Sequence, residues 1–419
     1  MPRPCHRALT CLLATVLYNA CPVSAEELRP VALRARVDRV QPMTGIVLWS
    51  TNEHVDTAPI QLEFAYLSYA DVAIGPGRYD WSTIERLLGA AARRGHQMIL
   101  RFHDTYVGKP TGVPEFISAA SGYRGTRGLS EGKPTEFPDW SSDALQRFVL
   151  EFFGELAGRY DADPRLAFLQ VGFGLWAEYH IDDGPMELGK TFPSKAYQER
   201  FLEHLDNSFR ATPWMISVDA AQRHTPLAGN TRLLRRGFGL FDDSLNHRRH
   251  DRWNLPNWET LGRDRWRRAP CGGEFSFFEA ADQRLALDPG GPHGIPFPEL
   301  AAKFHITFVI GDDQPRLQPA ERISRAGLAT GYRFRITRFL SAPGRSSVEV
   351  ENRGIAPIYH DAFVAVDGVR AQASLKRLLP GERREFAIRA GGDAATLTIQ
   401  SDRLVPGQQI GFDADLDAP

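Results

Sequence analysis

Short apolar runs recur along the first three quarters of the chain and alternate with segments of helical periodicity. Such runs are typical of strands that a parallel sheet buries on both faces. They lie at Thr44–Ser50, Gln61–Leu67, Gln97–Phe102, Leu166–Val171, Trp214–Val218, Gly237–Phe241, Ala269–Phe275 and Ile306–Ile310. One helical segment begins at a capping box, Ser82 with Glu85, and continues with an apolar stripe. This order predicts an α/β fold, a (β/α)8 TIM barrel over residues 26–320.

The pattern changes after about residue 325, where helical periodicity disappears. Short segments with alternating apolar and polar residues follow, punctuated by Gly, Pro and Asn. They lie at Tyr332–Phe339, Ser347–Val350, Ala362–Val366, Glu385–Ile388 and Thr396–Ile399. Residues 325–419 are therefore predicted to form a separate all-β sandwich domain.

Residues 1–25 have the pattern of a secretory signal peptide. Arg3 and Arg7 precede the apolar run Ala8–Leu17, and Val23-Ser24-Ala25 fits the small-x-small cleavage rule. The alternative, a lipid anchor on Cys21, lacks the usual aliphatic residue three positions earlier. We therefore expect a secreted or periplasmic protein without a transmembrane segment. Cleavage leaves Cys271 as the single cysteine, which excludes an internal disulfide.

Charge and aromatic content narrow the class of partner. The chain has 50 basic and 51 acidic residues, so no polyanion-binding surface is indicated and nucleic acid is not an expected partner. Aromatic residues make up 11% of the chain. Sugar-binding clefts use such rings, and so do hydrophobic cores.

Two glutamates follow or end predicted barrel strands, Glu178 after the fourth and Glu274 in the seventh. About three βα units of roughly 30 residues separate them, so they would face each other across the carboxyl-end mouth, where barrel enzymes bind ligands. Glycoside hydrolysis needs such a pair, one carboxylic acid and one carboxylate. The alternative for Glu178 is an ion pair with an arginine at the rim of the sheet.

The segment GRYDWSTIERLLGAAARRGHQMILR, followed by Val113-Pro114, resembles the second-helix and third-strand region of a large clan of retaining β-glycosidases. GLWAEYH, GYRFRI and VENRGIAP resemble a family of secreted bacterial barrel proteins with a C-terminal domain of unknown function. The resemblance covers most of the mature chain. It implies that Glu178 is the acid/base and Glu274 the nucleophile.

The chain departs from the clan at one position. The clan has Asn before the acid/base glutamate, where it binds the sugar 2-hydroxyl, whereas this chain has Ala177. Two functions therefore stay open: a secreted glycoside hydrolase acting on an oligo- or polysaccharide by a two-carboxylate, retaining mechanism, and a non-catalytic carbohydrate-binding protein on a degenerate barrel, serving exopolysaccharide or cell-envelope processes. A purely structural interaction protein would need no paired carboxylates.

Other polar and aromatic residues near the predicted strand ends are candidates for binding the sugar. They are Trp49, Tyr69, Arg101, His103, Asp104, Trp176, Tyr179, His180, Asp219, Asp242 and His305. Trp253 and Trp258 are further candidates for stacking on sugar rings. Each polar residue could equally bond to neighbouring loops. No cofactor is expected, and no metal, because His103, Asp104 and His180 lack a recognised ligand spacing.

Overall fold

The fold was analysed in a computed structural model that describes Met1 and residues 27–417. The predicted signal peptide, its cleavage site and the cysteines before Cys271 lie outside the described residues. In the described part, no helix is both long enough and apolar enough to cross a bilayer.

The strands, in chain order, are β1 (Arg29–Pro30), β2 (Leu33–Ala35), β3 (Gly45–Trp49), β4 (Leu62–Ser68), β5 (Ala73–Gly75), β6 (Arg78–Tyr79), β7 (Gln97–His103), β8 (Thr126–Ser130), β9 (Lys133–Phe137), β10 (Leu166–Gln170), β11 (Trp214–Ser217), β12 (Gly239–Leu245), β13 (Cys271–Phe275), β14 (Ile306–Ile310), β15 (Phe334–Ala342), β16 (Arg345–Asn352), β17 (Phe363–Val366), β18 (Val369–Arg370), β19 (Arg383–Ile388), β20 (Leu397–Gln400) and β21 (Phe412–Leu416).

The helices are α1 (Ser82–Arg93), α2 (Glu115–Ser118), α3 (Asp143–Tyr160), α4 (Lys195–Ser208), α5 (Thr231–Leu234), α6 (Asp251–Leu261), α7 (Ala280–Leu285), α8 (Phe297–Phe304), α9 (Gln314–Leu317) and α10 (Ala320–Leu328). Short 3-10 turns lie at Tyr69–Asp71, Val218–Ala221, Arg265–Arg267 and Pro292–Gly294.

Eight parallel strands close into a barrel, which confirms the predicted fold class. Their order around the barrel is β3, β4, β7, β10, β11, β12, β13 and β14, with β14 pairing back to β3. Phe168 and Phe308 stack inside the barrel with ring centroids 5.1 Å apart. A larger apolar cluster, which includes Ile84 and Leu88 of α1, fills the space between the strands and the surrounding helices.

The segment between β7 and α3 has secondary structure of its own. It contains the short helix α2 and a two-stranded hairpin, β8 with β9. The hairpin gives this connection backbone hydrogen bonds of its own, which a long irregular loop would lack.

Two sheets share one apolar core at the C-terminal end of the chain, as expected for a β-sandwich. The first has the order β19-β16-β15-β21-β2, with β1 added alongside β15, and the second has the order β18-β17-β20. Residues 29–35 were expected to belong to the barrel. They form β1 and β2 instead, which pair with β15 and β21 of the sandwich.

The sandwich packs under the amino ends of the barrel strands. The buried Arg403 guanidinium donates to the carbonyl oxygen of Leu166, where β10 begins (2.7 Å), and to the Thr212 hydroxyl (3.0 Å). The side chain of Gln97, at the start of β7, donates to the carbonyl oxygen of Arg403 (2.8 Å). The opposite, carboxyl-end face of the barrel is therefore free to carry the site.

Candidate active site

Strand alternation decides which side chains enter the barrel, because successive residues of a strand point to opposite faces. Phe64, Phe168 and Phe241 lie in the interior cluster. Two residues further along their strands stand Tyr66, Gln170 and Asp243. These positions, with inward residues of β7 and β13, form a polar layer above the apolar interior.

Glu178 lies in a tight turn that folds back onto the end of β10. The Leu175 N–H donates to the carbonyl oxygen of His180 (2.9 Å). Gly172 makes this possible, because a Cβ there would lie 1.9 Å from the carbonyl oxygen of Ala177. The glycine therefore accommodates the backbone of the turn itself.

The same turn holds three non-glycine residues in the left-handed region: Trp176 (φ 52°), Ala177 (φ 61°) and Tyr179 (φ 65°). Each such residue costs about 1 kcal/mol or more and persists where the surrounding structure enforces it. The turn thus fixes the direction in which Glu178 points.

Arg101 on β7 is the fully buried cation at the centre of the polar layer. Its guanidinium forms an ion pair with the Glu178 carboxylate, donates to the Tyr66 hydroxyl (2.7 Å) and donates to Gln170 Oε1 (2.8 Å from Nε). It also lies 4.2 Å from the ring centroid of Phe241. Tyr66 in turn donates to Glu178 (3.2 Å). The Glu178 carboxyl group therefore has defined partners.

His180 lies among three carboxylates, and its Nδ1 is 3.6 Å from Asp182 Oδ2. Its Nε2 lies 3.6 Å from Glu178 Oε2 and 3.8 Å from Asp243 Oδ2. Burial lowers the pKa of His180, but Asp243 and Glu178 together raise it well above its usual value. The imidazole is therefore protonated at neutral pH. Burial alone would raise the pKa of Asp243, but the contact with His180 outweighs burial and brings the pKa of Asp243 below its usual value.

The same three residues are the group best placed to hold a cation. One ligand atom from each of Glu178, His180 and Asp243 lies within 4.8 Å of the others. A metal would have to displace the proton from His180 and tolerate the Arg101 guanidinium beside Glu178. The ion pairs of a protonated His180 account for the arrangement without a metal.

Glu274, at the carboxyl end of β13, has a different environment. Burial, and then the negative charge of Glu178, raise the pKa of Glu274 to about 8; Asp243 adds to this, and Arg101 opposes it. Among the described residues, no side chain or backbone group hydrogen-bonds to its carboxyl group. Burial and Asp243 raise the pKa of Glu178 as well, against Arg101 and His180. Glu274, whose pKa lies at about 8, therefore carries its proton at neutral pH.

Three more predicted binding residues line the rim of this layer. The His103 ring lies 6.0 Å from the ring of Tyr66, and burial lowers the pKa of His103 to about 4, so it is neutral. Trp49 packs 5.4 Å from Tyr66. Trp176 is half-buried, 5.9 Å from the ring of His180.

Three predicted binding residues face the helices instead of the mouth. Tyr69 packs against Phe102 and Phe152 in the outer core. Tyr179 is fully buried in the same cluster. Asp104 follows His103 and so points outward, where burial raises its pKa to about 7. Each lies on the outward side of its strand or turn, so the structure does not bring these three residues to the mouth, and their sugar-binding role stays a prediction.

The three remaining predicted binding residues, Asp219, Asp242 and His305, lie in three different places. Asp219 is buried near the layer, accepts from Asn257 (3.1 Å), and has its pKa raised well above its usual value by burial and by Asp243. Asp242 points outward and accepts from Asn254 (2.8 Å). His305 precedes β14 at the opposite end of the barrel, stacked 3.6 Å from Trp266. The structure therefore does not bring Asp242 and His305 to the mouth, and their binding role stays a prediction.

Several residues of the layer were missed in the sequence. They are Tyr66, Gln170, Asp243, Asp312 and Tyr106. Asp312 accepts from the Trp49 backbone N–H (2.8 Å), and it also raises the pKa of Glu274. The signal that could have found Tyr66 and Asp243 is their even spacing from the interior phenylalanines Phe64 and Phe241.

Comparison with known proteins adds no family. No protein-family model matches the chain, and no curated protein matches it. Solved structures with some similarity include a glycoside hydrolase family 30 subfamily 8 xylanase from Clostridium acetobutylicum (10% identity, TM-score 0.37, 87% of this chain and 98% of that chain). A GH5_18 protein from Bifidobacterium longum subsp. infantis has 10% identity and TM-score 0.41 over 71% of this chain and 82% of that chain. At these scores the likeness carries no argument about activity.

Proposed function

We propose that this protein is a glycoside hydrolase that uses Glu178 and Glu274. The observation that carries the proposal is a pair of buried carboxyl groups at one barrel mouth whose surroundings differ in charge. Arg101 forms an ion pair with Glu178, whereas Glu274 has no cationic hydrogen-bond partner in the described part of the chain, and its pKa is raised to about 8. Glycosidases separate an acid from a carboxylate in this way.

The electrostatics favour roles opposite to those that the family resemblance implies. In the proposed mechanism, Glu274 donates its proton to the glycosidic oxygen as the bond to the anomeric carbon breaks. The Glu178 carboxylate attacks that carbon and forms a glycosyl ester. The Glu274 carboxylate then takes a proton from water, whose oxygen displaces Glu178 and releases the sugar with its original configuration.

The remaining charges of the polar layer support this division of roles. Arg101 and the Tyr66 hydroxyl hold one oxygen of Glu178, and the protonated His180 lies near the other. They keep Glu178 ionised before attack and stabilise it again as the leaving group of the second step. Glu274, without a cationic hydrogen-bond partner, keeps its proton for donation.

The first experiment is a screen of the purified protein for hydrolysis, using a panel of polysaccharides and aryl glycosides. On a substrate that is cleaved, Glu274→Ala should lose activity strongly where the leaving group is poor and retain it where the leaving group is a dinitrophenolate. Azide added to this variant should form a glycosyl azide with the configuration of the substrate.

Glu178→Ala should be inactive on every substrate, and azide should give an azide product of inverted configuration. The opposite pattern would assign the roles as the resemblance implies. Full activity in both variants would contradict the proposed function. The matched control is Asp242→Asn, because the Asp242 carboxyl group points out of the same barrel. This variant should keep the activity of the unchanged protein.

The second candidate is a non-catalytic carbohydrate-binding protein. The engagement of Glu178 by Arg101, Tyr66 and His180 favours it, because a carboxylate with three partners is also a stable structural element. Binding of an oligosaccharide without hydrolysis over days, unchanged in Glu274→Ala, would establish this candidate.

A further inference from the structure

The exposed aromatic side chains of the described residues lie on one side of the barrel mouth. They are Trp253, Phe277 and Phe278, with 55%, 54% and 65% of their surfaces exposed. Trp253 lies in α6, after β12, and the two phenylalanines follow β13. Since β12 and β13 are neighbours in the barrel, the three rings project from the segments that follow two adjacent strands.

Two of these rings, Trp253 and Phe278, lie beside His250. With Phe277 they form a surface that we name the aromatic shelf: His250, Trp253, Phe277 and Phe278. The His250 ring lies 4.2 Å from Phe278 and 6.4 Å from Trp253, between centroids. Arg252 lies 4.4 Å from the centroid of the Trp253 ring. The shelf therefore combines apolar faces with polar groups at its edge.

Hydrogen bonds from buried and half-buried groups hold His250 and Phe278 in place. His250 Nδ1 lies 2.9 Å from the Ser244 hydroxyl oxygen. The backbone N–H of Phe278 donates to Ser276 Oγ (3.2 Å), and Ser276 donates to the buried Asp282 (2.8 Å). The apolar rings are therefore presented to solvent by an ordered frame, which lowers the entropy cost of binding a ligand.

The shelf adjoins the polar layer of the candidate active site. Asp243, which pairs with His180, is close enough to His250 to raise its pKa against the lowering by burial. The neighbouring strands β12 and β13 carry Asp243 and Glu274 respectively. A ligand that extends out of the mouth on this side would therefore pass from the carboxyl groups onto the aromatic rings.

We propose that the aromatic shelf binds pyranose rings of a glycan chain next to the bond placed between Glu178 and Glu274. Sugar rings offer C–H faces that pack on aromatic rings and hydroxyl edges that bond to groups such as His250 and Arg252. The inference rests on the proposed function and refines it: the substrate is an oligo- or polysaccharide of several units, not a small glycoside.

The test measures how affinity depends on chain length in the full chain with Glu274→Gln, which prevents turnover. The probes are the disaccharides and hexasaccharides of the cello-, xylo-, manno-, malto- and chito- series, titrated by calorimetry. In at least one of these series, the hexasaccharide should bind with an affinity about tenfold or more above that of the disaccharide, because its additional sugar rings contact the shelf.

Adding Trp253→Ala and Phe278→Ala should remove most of this gain, and Trp253→Phe should keep it while abolishing any quenching of Trp253 fluorescence. Val369→Ala, an exposed apolar residue of the sandwich (43% exposed), is the control and should keep the gain. Circular dichroism melting checks that each variant folds.

An unchanged hexasaccharide-to-disaccharide ratio in the double variant would overturn the shelf proposal, as would binding of none of the five hexasaccharides. These outcomes differ from failure of the proposed function. The proposed function fails if the variants of Glu178 and Glu274 keep full hydrolytic activity. The dependence of binding on chain length is measured separately and does not change with that result.

Discussion

At the scale of single residues, Arg101 determines how charge is distributed in the candidate site. A guanidinium with no solvent exposure is costly unless its donors are paired, and the cost is several kcal/mol per buried ion. Tyr66, Gln170 and Glu178 supply the acceptors. The same contacts stabilise the ionised form of Glu178, and its negative charge helps to keep the proton on Glu274.

This distribution predicts an alkaline limit to activity. A general acid works only while protonated, so kcat/KM should fall as pH rises through about 8, the pKa of Glu274. The fall should reach about tenfold for each pH unit above that value. The measurement is kcat/KM against pH on a substrate with a poor leaving group.

The control for this profile is a substrate whose leaving group needs no proton. Its alkaline limb should shift or disappear, because protonation by Glu274 no longer limits the rate. An alkaline limb near pH 8 that is identical for both leaving groups would show that another group titrates.

At the scale of elements, β12 shows what the sequence could and could not predict. The apolar run indicated a strand at Gly237–Phe241, whereas the strand extends to Leu245. Asp242 and Asp243 thus lie within it and point to opposite faces. Both faces of a parallel barrel strand are apolar, so the apolar run does not indicate which residues point into the barrel. The sequence analysis therefore selected Asp242, which points outward.

The same limit applies to β7 and to the turn after β10. Arg101 and His103 were correctly placed at the carboxyl end of β7, but Asp104 was not recognised as outward. Tyr179 was assigned to the cleft because it adjoins Glu178, and three left-handed residues turn it into the core. The order of the eight strands was predictable because each one is a continuous buried apolar run.

Neighbouring aspartates on β12 allow a matched test of this alternation. Asp243→Asn should lower kcat/KM by about 10- to 100-fold, because it removes a charged partner of His180 worth about 1.5–3 kcal/mol. It should also lower the pKa of His180, which Asp243 raises. The measurements are steady-state kinetics and an NMR titration of His180.

The partner variant, Asp242→Asn, should change kcat/KM by less than about threefold, since its carboxyl group faces Asn254 and Trp258 on the outer side. Equal losses in the two variants would contradict the inward placement of Asp243.

At the scale of the whole molecule, the sandwich closes the amino end of the barrel and leaves the carboxyl end open. Besides Arg403, the Tyr359 hydroxyl donates to the Trp266 carbonyl oxygen (2.6 Å) and the Tyr332 hydroxyl to that of Pro42 (3.2 Å). These bonds lie at the amino-end face, which in such barrels contributes to stability, whereas the active site lies at the carboxyl-end face.

Arg403→Met should therefore destabilise the protein without changing the active site. Its guanidinium donates to the carbonyl oxygens of Asp161 and Leu166, which would lose their partner. The free energy of unfolding should fall by about 3 kcal/mol, measured by urea denaturation. Hydrolysis at a temperature where the variant is folded should be unchanged.

Arg338→Met is the control for this variant, because Arg338 forms an exposed ion pair with Glu385. Exposed pairs contribute about 0–1 kcal/mol, so little change is expected. A loss for Arg403→Met no larger than that of the control would show that the interface does not depend on this residue.

The pairing of β2 with β21 has a consequence for synthesis. Arg34 and Asp415, an ion pair across these strands, are 381 positions apart in the chain. A ribosome makes the first strand long before the second, so the barrel can form while β2 still lacks its neighbour. Closing so distant a contact is slow, and an unpaired strand edge invites association with other chains. A strand made late in synthesis, β21, therefore completes the sheet that β1 and β2 begin.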